Sequence, residues 1–189
     1  MFVDVVLNGF LKAKFLVDTG ATDIVISSEL AQRLSLNPNK TVFIPMQSVS
    51  GTFWAALEKV RSIAVGDSTV RDVDVYVYDA GTDGILGMSF LGEFDFSIDV
   101  GGKKLILAER TETSGVPMYR GHAENWWRNK FRLYNFVVES LKEYRSMARD
   151  YKDKEAESQA SRSLRHYQSE LNALALQASV AGVPLSWRK

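Results

Sequence analysis

From His122 to Ala181 the sequence contains neither Gly nor Pro, whereas ten of its 13 glycines lie before residue 111. These two residue types are the strongest local interrupters of helices and strands. The chain is therefore read as two unlike parts, the first turning often and the second running long. A single helix over His122–Ala181 would reach about 90 Å. Charge divides in the same way. The 189 residues carry 23 Lys+Arg and 23 Asp+Glu, but residues 1–110 hold 10 and 14 of them and residues 111–189 hold 13 and 9. The junction Thr111–Gly121 has two Gly, a Pro and small polar residues, which suits a linker. A domain over 1–110, a linker over 111–121 and a helical extension over 122–189 are expected.

Composition removes several chemistries. There is no Cys, so disulfides, Cys-ligated metal and thiol nucleophiles are excluded. The two histidines, His122 and His166, supply almost no ligands for a multi-histidine metal site and read as surface residues. The zero formal charge argues against coating nucleic acid by bulk electrostatics, and no nucleic-acid partner is expected. No phosphate loop or dinucleotide fingerprint is present, so no cofactor is expected. Met1-Phe-Val-Asp4 lacks the basic start of a targeting segment, and no run approaches the roughly 20 apolar residues of a spanning helix. A cytoplasmic location follows as the expectation. Membrane association is expected only through an N-terminus longer than this one or through the basic-aromatic start Trp126-Trp-Arg-Asn-Lys-Phe-Arg132. The plainer reading of that start is a packed helix with snorkelling basic residues.

The first part reads as short strands. Residues 2–7 and 10–17 are apolar runs joined by Asn8-Gly9, a strong hairpin signal. Ile24-Val-Ile26 is a short strand, and residues 27–34 read as a helix behind an N-cap serine. Strands over 41–47 and 52–65 flank a tip at Ser48-Val-Ser-Gly51. In 69–79 the valines 73, 75 and 77 alternate with Asp72, Asp74, Tyr76 and Tyr78, which predicts a solvated acidic face rather than a cation site. Gly84–Gly87 is a strand and turn, Met88–Gly92 a helical turn, and 94–99 with 103–108 a hairpin. Many short strands with few helices predict a compact, mainly β and mostly antiparallel domain.

The second part has apolar residues at spacings of three and four, from Trp127 to Tyr151 and again from Leu164 to Ala178. Between them, residues 152–163 offer only two alanines, and the second stripe is out of heptad phase with the first. That favours a helical hairpin over one coiled coil.

Phe15-Leu-Val-Asp-Thr-Gly-Ala-Thr22 is the segment richest in chemistry. It places Asp18 directly after an apolar strand, followed by a small hydroxyl (Thr19) and Gly20. An unpaired charge in such a place is costly, so the carboxylate needs a use or a partner. Read alone, the tripeptide also fits an ordinary capped turn. With its continuation Asp23-Ile-Val-Ile26, and with Gly84-Ile-Leu-Gly-Met-Ser-Phe-Leu91 and Phe94-Asp-Phe-Ser-Ile-Asp99 further on, the sequence resembles the retropepsin-like aspartic proteases over roughly residues 1–110.

The resemblance implies a closed β domain equivalent to half of a pepsin-type fold. It implies an aspartic endopeptidase with Asp18 as the catalytic residue and Thr19, Gly20 and Ala21 as its supporting loop. Thr19 would lock two loops across a two-fold axis, and the Gly20 carbonyl would face substrate. Ile85, Leu86 and Gly87 would pack against the loop. Ser50, Gly51, Phe53 and Trp54 would belong to a flap closing over a bound protein or peptide. Such enzymes need two carboxylates about 3 Å apart sharing one proton. The chain has one Asp-Thr-Gly, so the implied enzyme is a homodimer. Ala21 offers no hydroxyl to the carboxylate, so activity is expected to extend to weakly acidic or near-neutral pH. Two rivals are a non-catalytic dimeric scaffold or peptide-binding module of the same fold, and a nucleic-acid or membrane-binding helical protein with a passive β domain. Gly87-Met-Ser89-Phe-Leu-Gly92 is one residue too long for a serine nucleophile elbow and reads as a turn.

Overall fold

Asn8 and Gly9 both take positive φ, 54° and 81°, which reverses the chain between β1 (Phe2–Leu7) and β2 (Leu11–Val17). The two strands pair antiparallel, from Phe2 opposite Leu16 to Leu7 opposite Leu11. The same turn closes the sheet. Asn8 Oδ1 accepts from the amides of Arg61 (2.8 Å) and Ser62 (3.2 Å), and Asn8 N–H donates to Ser62 O at 2.9 Å. The computed structural model describes all residues except 37–42, 49–50, 111–114 and 116, and side chains except also 45–48 and 51–53.

The remaining strands are β3 (Val25–Ile26), β4 (Phe43–Ser48), β5 (Gly51–Val65), β6 (Ser68–Val77), β7 (Gly84–Leu86), β8 (Phe94–Asp99) and β9 (Lys104–Glu109). In the order β1-β2-β7-β3-β6-β5 the sheet returns to β1 through Val6–Ala64 and Leu7–Ile63, making a closed six-stranded barrel. β4 follows β5 in that order, and β8 with β9 forms a separate two-stranded sheet. Short helices α1 (Ser28–Arg33) and α2 (Met88–Leu91) interrupt the strands. In β2 the pattern is plain: Leu11, Ala13 and Phe15 enter the core while Lys12 and Lys14 face out. β6 departs from its expected solvated face. Val73 to Val77 are buried without alternation, with Asp74 only 9 % exposed and Tyr76 1 %. β6 pairs on both sides, with β5 and with β3, and both of its faces are covered. Among the described residues no His, Asp and Glu cluster could hold a metal ion.

The chain divides into two compact units. One is Met1–Phe43 with Phe53–Ser114; the other is Ile44–Thr52 with Gly115–Lys189. The second is dominated by α3 (Glu124–Asp150) and α4 (Lys154–Ala181), a helical hairpin. The polar stretch expected to separate two stripes is mostly helix: only Tyr151–Asp153 breaks it. Lys152 turns at φ 59°, and Asp153 caps α4 by accepting from Ala156 N–H at 3.0 Å. Ala160 is fully buried, so a small residue suffices where the helices run close. Further along, Tyr134 meets Tyr167 with centroids 6.4 Å apart.

α4 ends at Gly182, φ 78°, with Val183 N–H returning to Ala178 O at 2.9 Å. The final turn, Leu185–Trp187, brings Trp187 onto Tyr119, whose carbonyl accepts from Trp127 Nε1 at 3.3 Å. Arg128 reaches Ser186 O at 2.8 Å. The start of α3 is accordingly packed: Trp127, Lys130 and Phe131 are buried, with the Lys130 ammonium 5.3 Å from the Trp126 ring centroid. His122, expected at the surface, is half-buried and stacks on Trp126 at 3.8 Å. No helix among the described residues is long and apolar enough to cross a membrane.

Glu157 links the two helices. It accepts from Arg149 at 2.9 Å and from Lys154 at 3.1 Å, and these cations hold its carboxyl below the ordinary value, Arg149 contributing most. A lowered carboxylate pKa stabilises the fold above its unfolded value and loses that contribution as pH falls through the folded one. Thermal scans of the wild type and Glu157→Gln should therefore differ at neutral pH and converge as pH drops well below 4.5. A difference that stays constant with pH would contradict this assignment.

Candidate active site

Asp18 follows the last residue of β2, and three sets of backbone hydrogen bonds fix it. Val17 N–H donates to Met1 O at 2.9 Å, and Asp18 N–H donates to Leu86 O at 3.2 Å. The loop folds on itself through Ala21 N–H to Asp18 O, 3.3 Å. The start of α2 then holds the far side: Met88 N–H donates to Ala21 O and Ser89 N–H to Thr22 O, both at 2.8 Å. The carboxylate is half-buried. Among the described residues it accepts only from the Gly20 amide, at 2.8 Å through Oδ1. A carboxylate aimed by one backbone amide, with no cation bonded to it among the described residues, is suited to accepting and returning a proton.

β7 makes this possible. It lies between β2 and β3, parallel to the first (Phe15–Gly84, Leu16–Ile85, Val17–Leu86) and antiparallel to the second (Val25–Ile85, Ile26–Gly84). Both strands that flank the Asp18 loop therefore hang on one three-residue strand. Leu86 is buried in the core, and Ile85 is half-buried. Gly84 and Gly87 are needed for space. A Cβ on Gly84 would come within 2.4 Å of the Phe15 ring, and one on Gly87 within 2.3 Å of Asp23 O and 2.8 Å of Ala21 O.

The other expected residues are placed as follows. Thr19 and Gly20 are exposed, Ala21 is half-buried, and the Thr19 hydroxyl makes no hydrogen bond among the described residues. Trp54 is 47 % exposed on β5. Gly51 and Phe53 lie in the backbone of β5, and Ser50 lies outside the described residues. Ser89 uses its amide on the loop, while its Oγ is buried without a partner among the described residues, which suits the turn rather than a nucleophile.

Several supports escaped sequence reasoning. Asp79 accepts from both the amide (2.8 Å) and hydroxyl (2.9 Å) of Ser28. Asp83 accepts from Lys14 N–H at 3.0 Å through its side chain and from Ser27 N–H at 2.9 Å through its carbonyl. Acidic residues around Gly81, a glycine at φ 74°, were the available signal.

Residues 3–90 match the aspartyl protease family model. An uncharacterized protein in the cobV 5′ region of a Sinorhizobium species is 32 % identical over 83 residues, 42 % of this chain. The matched stretch is 36 % of that relative, so the chain spans little more than a third of its length. Among solved structures, a retropepsin-like aspartic protease from Rickettsia conorii is 32 % identical and superposes with a TM-score of 0.48, covering 56 % of this chain and 80 % of that one. Residues 3–90, a little under half of the chain, are thus similar to aspartyl proteases. That stretch makes up most of the mostly β, closed barrel, which the helices α3 and α4 follow in the chain.

Because the Gly87 Cβ position is occupied by carbonyl oxygens, Gly87→Ala should destabilise the barrel by about 1–3 kcal/mol, the usual range for overpacking. Denaturant titration followed by barrel-specific fluorescence or hydrogen exchange checks this. Unchanged stability would mean that the loop and α2 can separate without cost.

Proposed function

We propose that the protein is an aspartic endopeptidase acting as a homodimer, with Asp18 of each copy forming the catalytic pair. The observation that carries this reading is the Asp18 loop: a half-buried carboxylate, oriented by the Gly20 amide and tied through its own amide to Leu86. One Asp-Thr-Gly per chain supplies half of the required pair. In the dimer the two carboxylates share a proton, because like charges about 3 Å apart do not both ionise. One takes a proton from the attacking water while the other donates to the scissile carbonyl oxygen. The exposed Thr19 hydroxyl is left to bond across the two-fold axis. Gly20, exposed beside it, presents backbone to the substrate.

Substrate would lie as an extended strand, bound through main-chain hydrogen bonds. Ser50, Gly51, Phe53 and Trp54 are proposed as flap residues that cover it. The intact Asp-Thr-Gly-Ala and its anchoring favour catalysis over a passive scaffold.

Digestion of a peptide library tests the proposal. Asp18→Asn should lose activity by a factor of about 10²–10⁴ or more, and an inhibitor directed at aspartic active sites should block the wild type. Equal cleavage by both proteins would reject the mechanism. Specific activity should also rise with enzyme concentration until dimerisation is complete. The pH–rate profile provides a separate check. The wild type should remain active at weakly acidic to near-neutral pH, and Ala21→Ser, which adds a hydroxyl donor, should shift the profile toward acid. A wild-type profile confined to strong acid would contradict the role given to Ala21.

A further inference from the structure

The C-terminal half of α4 is apolar on two faces. Tyr167, Leu174 and Ala178 form the buried face toward α3. On the other side Ala173 is exposed, Leu176 is 66 % exposed and Val180 78 % exposed, and Leu185 just beyond the helix is 74 % exposed. A helix in a two-helix hairpin needs one apolar stripe; a second, contiguous and exposed, marks a surface for another molecule. We propose that this stripe is a self-association surface that packs α4 of one copy against α4 of a second copy about a two-fold axis.

Three observations select a second copy as the occupant. First, Ala173, Leu176 and Val180 are spaced by three and four, the seam of a helix–helix contact, and Ala173 is small enough for close approach. Second, no residue from Leu171 to Trp187 is charged. In a two-fold contact equivalent patches face each other, so any charge there would meet its own kind. The charged part of α4, from Lys154 to Glu170, lies outside the patch. Third, Asp18 chemistry needs a two-fold partner, so this choice rests in part on the function proposed above. A lipid surface is less well matched, because interfacial helices flank their apolar face with Lys and Arg. Arg188 is instead committed to capping α4, bonding Ser179 Oγ, Ala178 O and Val183 O.

The absence of cysteine makes the test clean. Val180→Cys places one thiol per chain on the stripe, and Gln159→Cys places one on an exposed part of α4 away from it. With diamide as the oxidant, two thiols become one disulfide, and the two electrons and two protons pass to diamide. Val180→Cys should give a covalent dimer at least about tenfold faster than Gln159→Cys, as expected for a contact that raises the effective thiol concentration. The double variant Leu176→Glu/Val180→Glu, both at exposed sites, should keep its helical circular dichroism. Its dimer dissociation constant in sedimentation should rise by about tenfold or more, since two apolar side chains of the contact are replaced by charged ones.

Equal cross-linking rates, or unchanged sedimentation of the double variant, would overturn the proposal. Vesicles of phosphatidylcholine and phosphatidylglycerol that bind the wild type but not the double variant, with sedimentation unchanged, would assign the stripe to lipid instead. The two proposals fail separately. Cleavage that survives Asp18→Asn removes the protease reading and leaves the cross-linking result standing. Asp18-dependent cleavage with an indifferent double variant removes only this surface.

Discussion

The placement of Asp18 depends on how closely the chain packs against β7. Gly84 admits the Phe15 ring, and Gly87 admits the carbonyls of Ala21 and Asp23. These contacts let a three-residue strand lie between β2 and β3 and accept the Asp18 amide on Leu86. A side chain at either glycine would have to displace packed atoms, and in a dense core such shifts spread to neighbours. The carboxylate's position is thus set by what is missing at two other residues.

The barrel around that strand supplies rigidity. Phe15, Leu86, Phe90 and Leu91 are all fully or almost fully buried and lie within a few residues of the loop or its clamp. The loop itself stays half open, with Thr19 and Gly20 exposed. Fixed backbone beneath and accessible groups above is the arrangement that the proposed role of Asp18 requires, because a preorganised group needs little reorganisation.

Much of this was legible in the sequence because it depends on local signals. Asn8-Gly9 marked the first hairpin, the alternation in β2 marked its inner face, and Asp-Thr-Gly with Ile-Leu-Gly marked the two segments that meet. What stayed hidden depends on distant partners. Asp74 looked solvated because alternation along one strand says nothing of a second covered face. Residues 154–163 looked like a bridge because the alanines that suit a close helix pair carry little hydrophobic signal. Asp79 and Asp83 were invisible as braces, since their partners Ser28 and Lys14 come from other segments.

The parallel pairing of β2 with β7 also sets the order in which the molecule can be completed. The amide of Lys14 and the carboxylate of Asp83 that brace this region are 69 residues apart in the chain. A parallel contact over such a separation closes late, because the entropy of the intervening loop must be met first. During synthesis Asp18 is made early but stays unanchored until β7 and α2 have emerged and docked. On the proposed reading, a copy can contribute its half of the catalytic pair only once nearly the whole barrel exists.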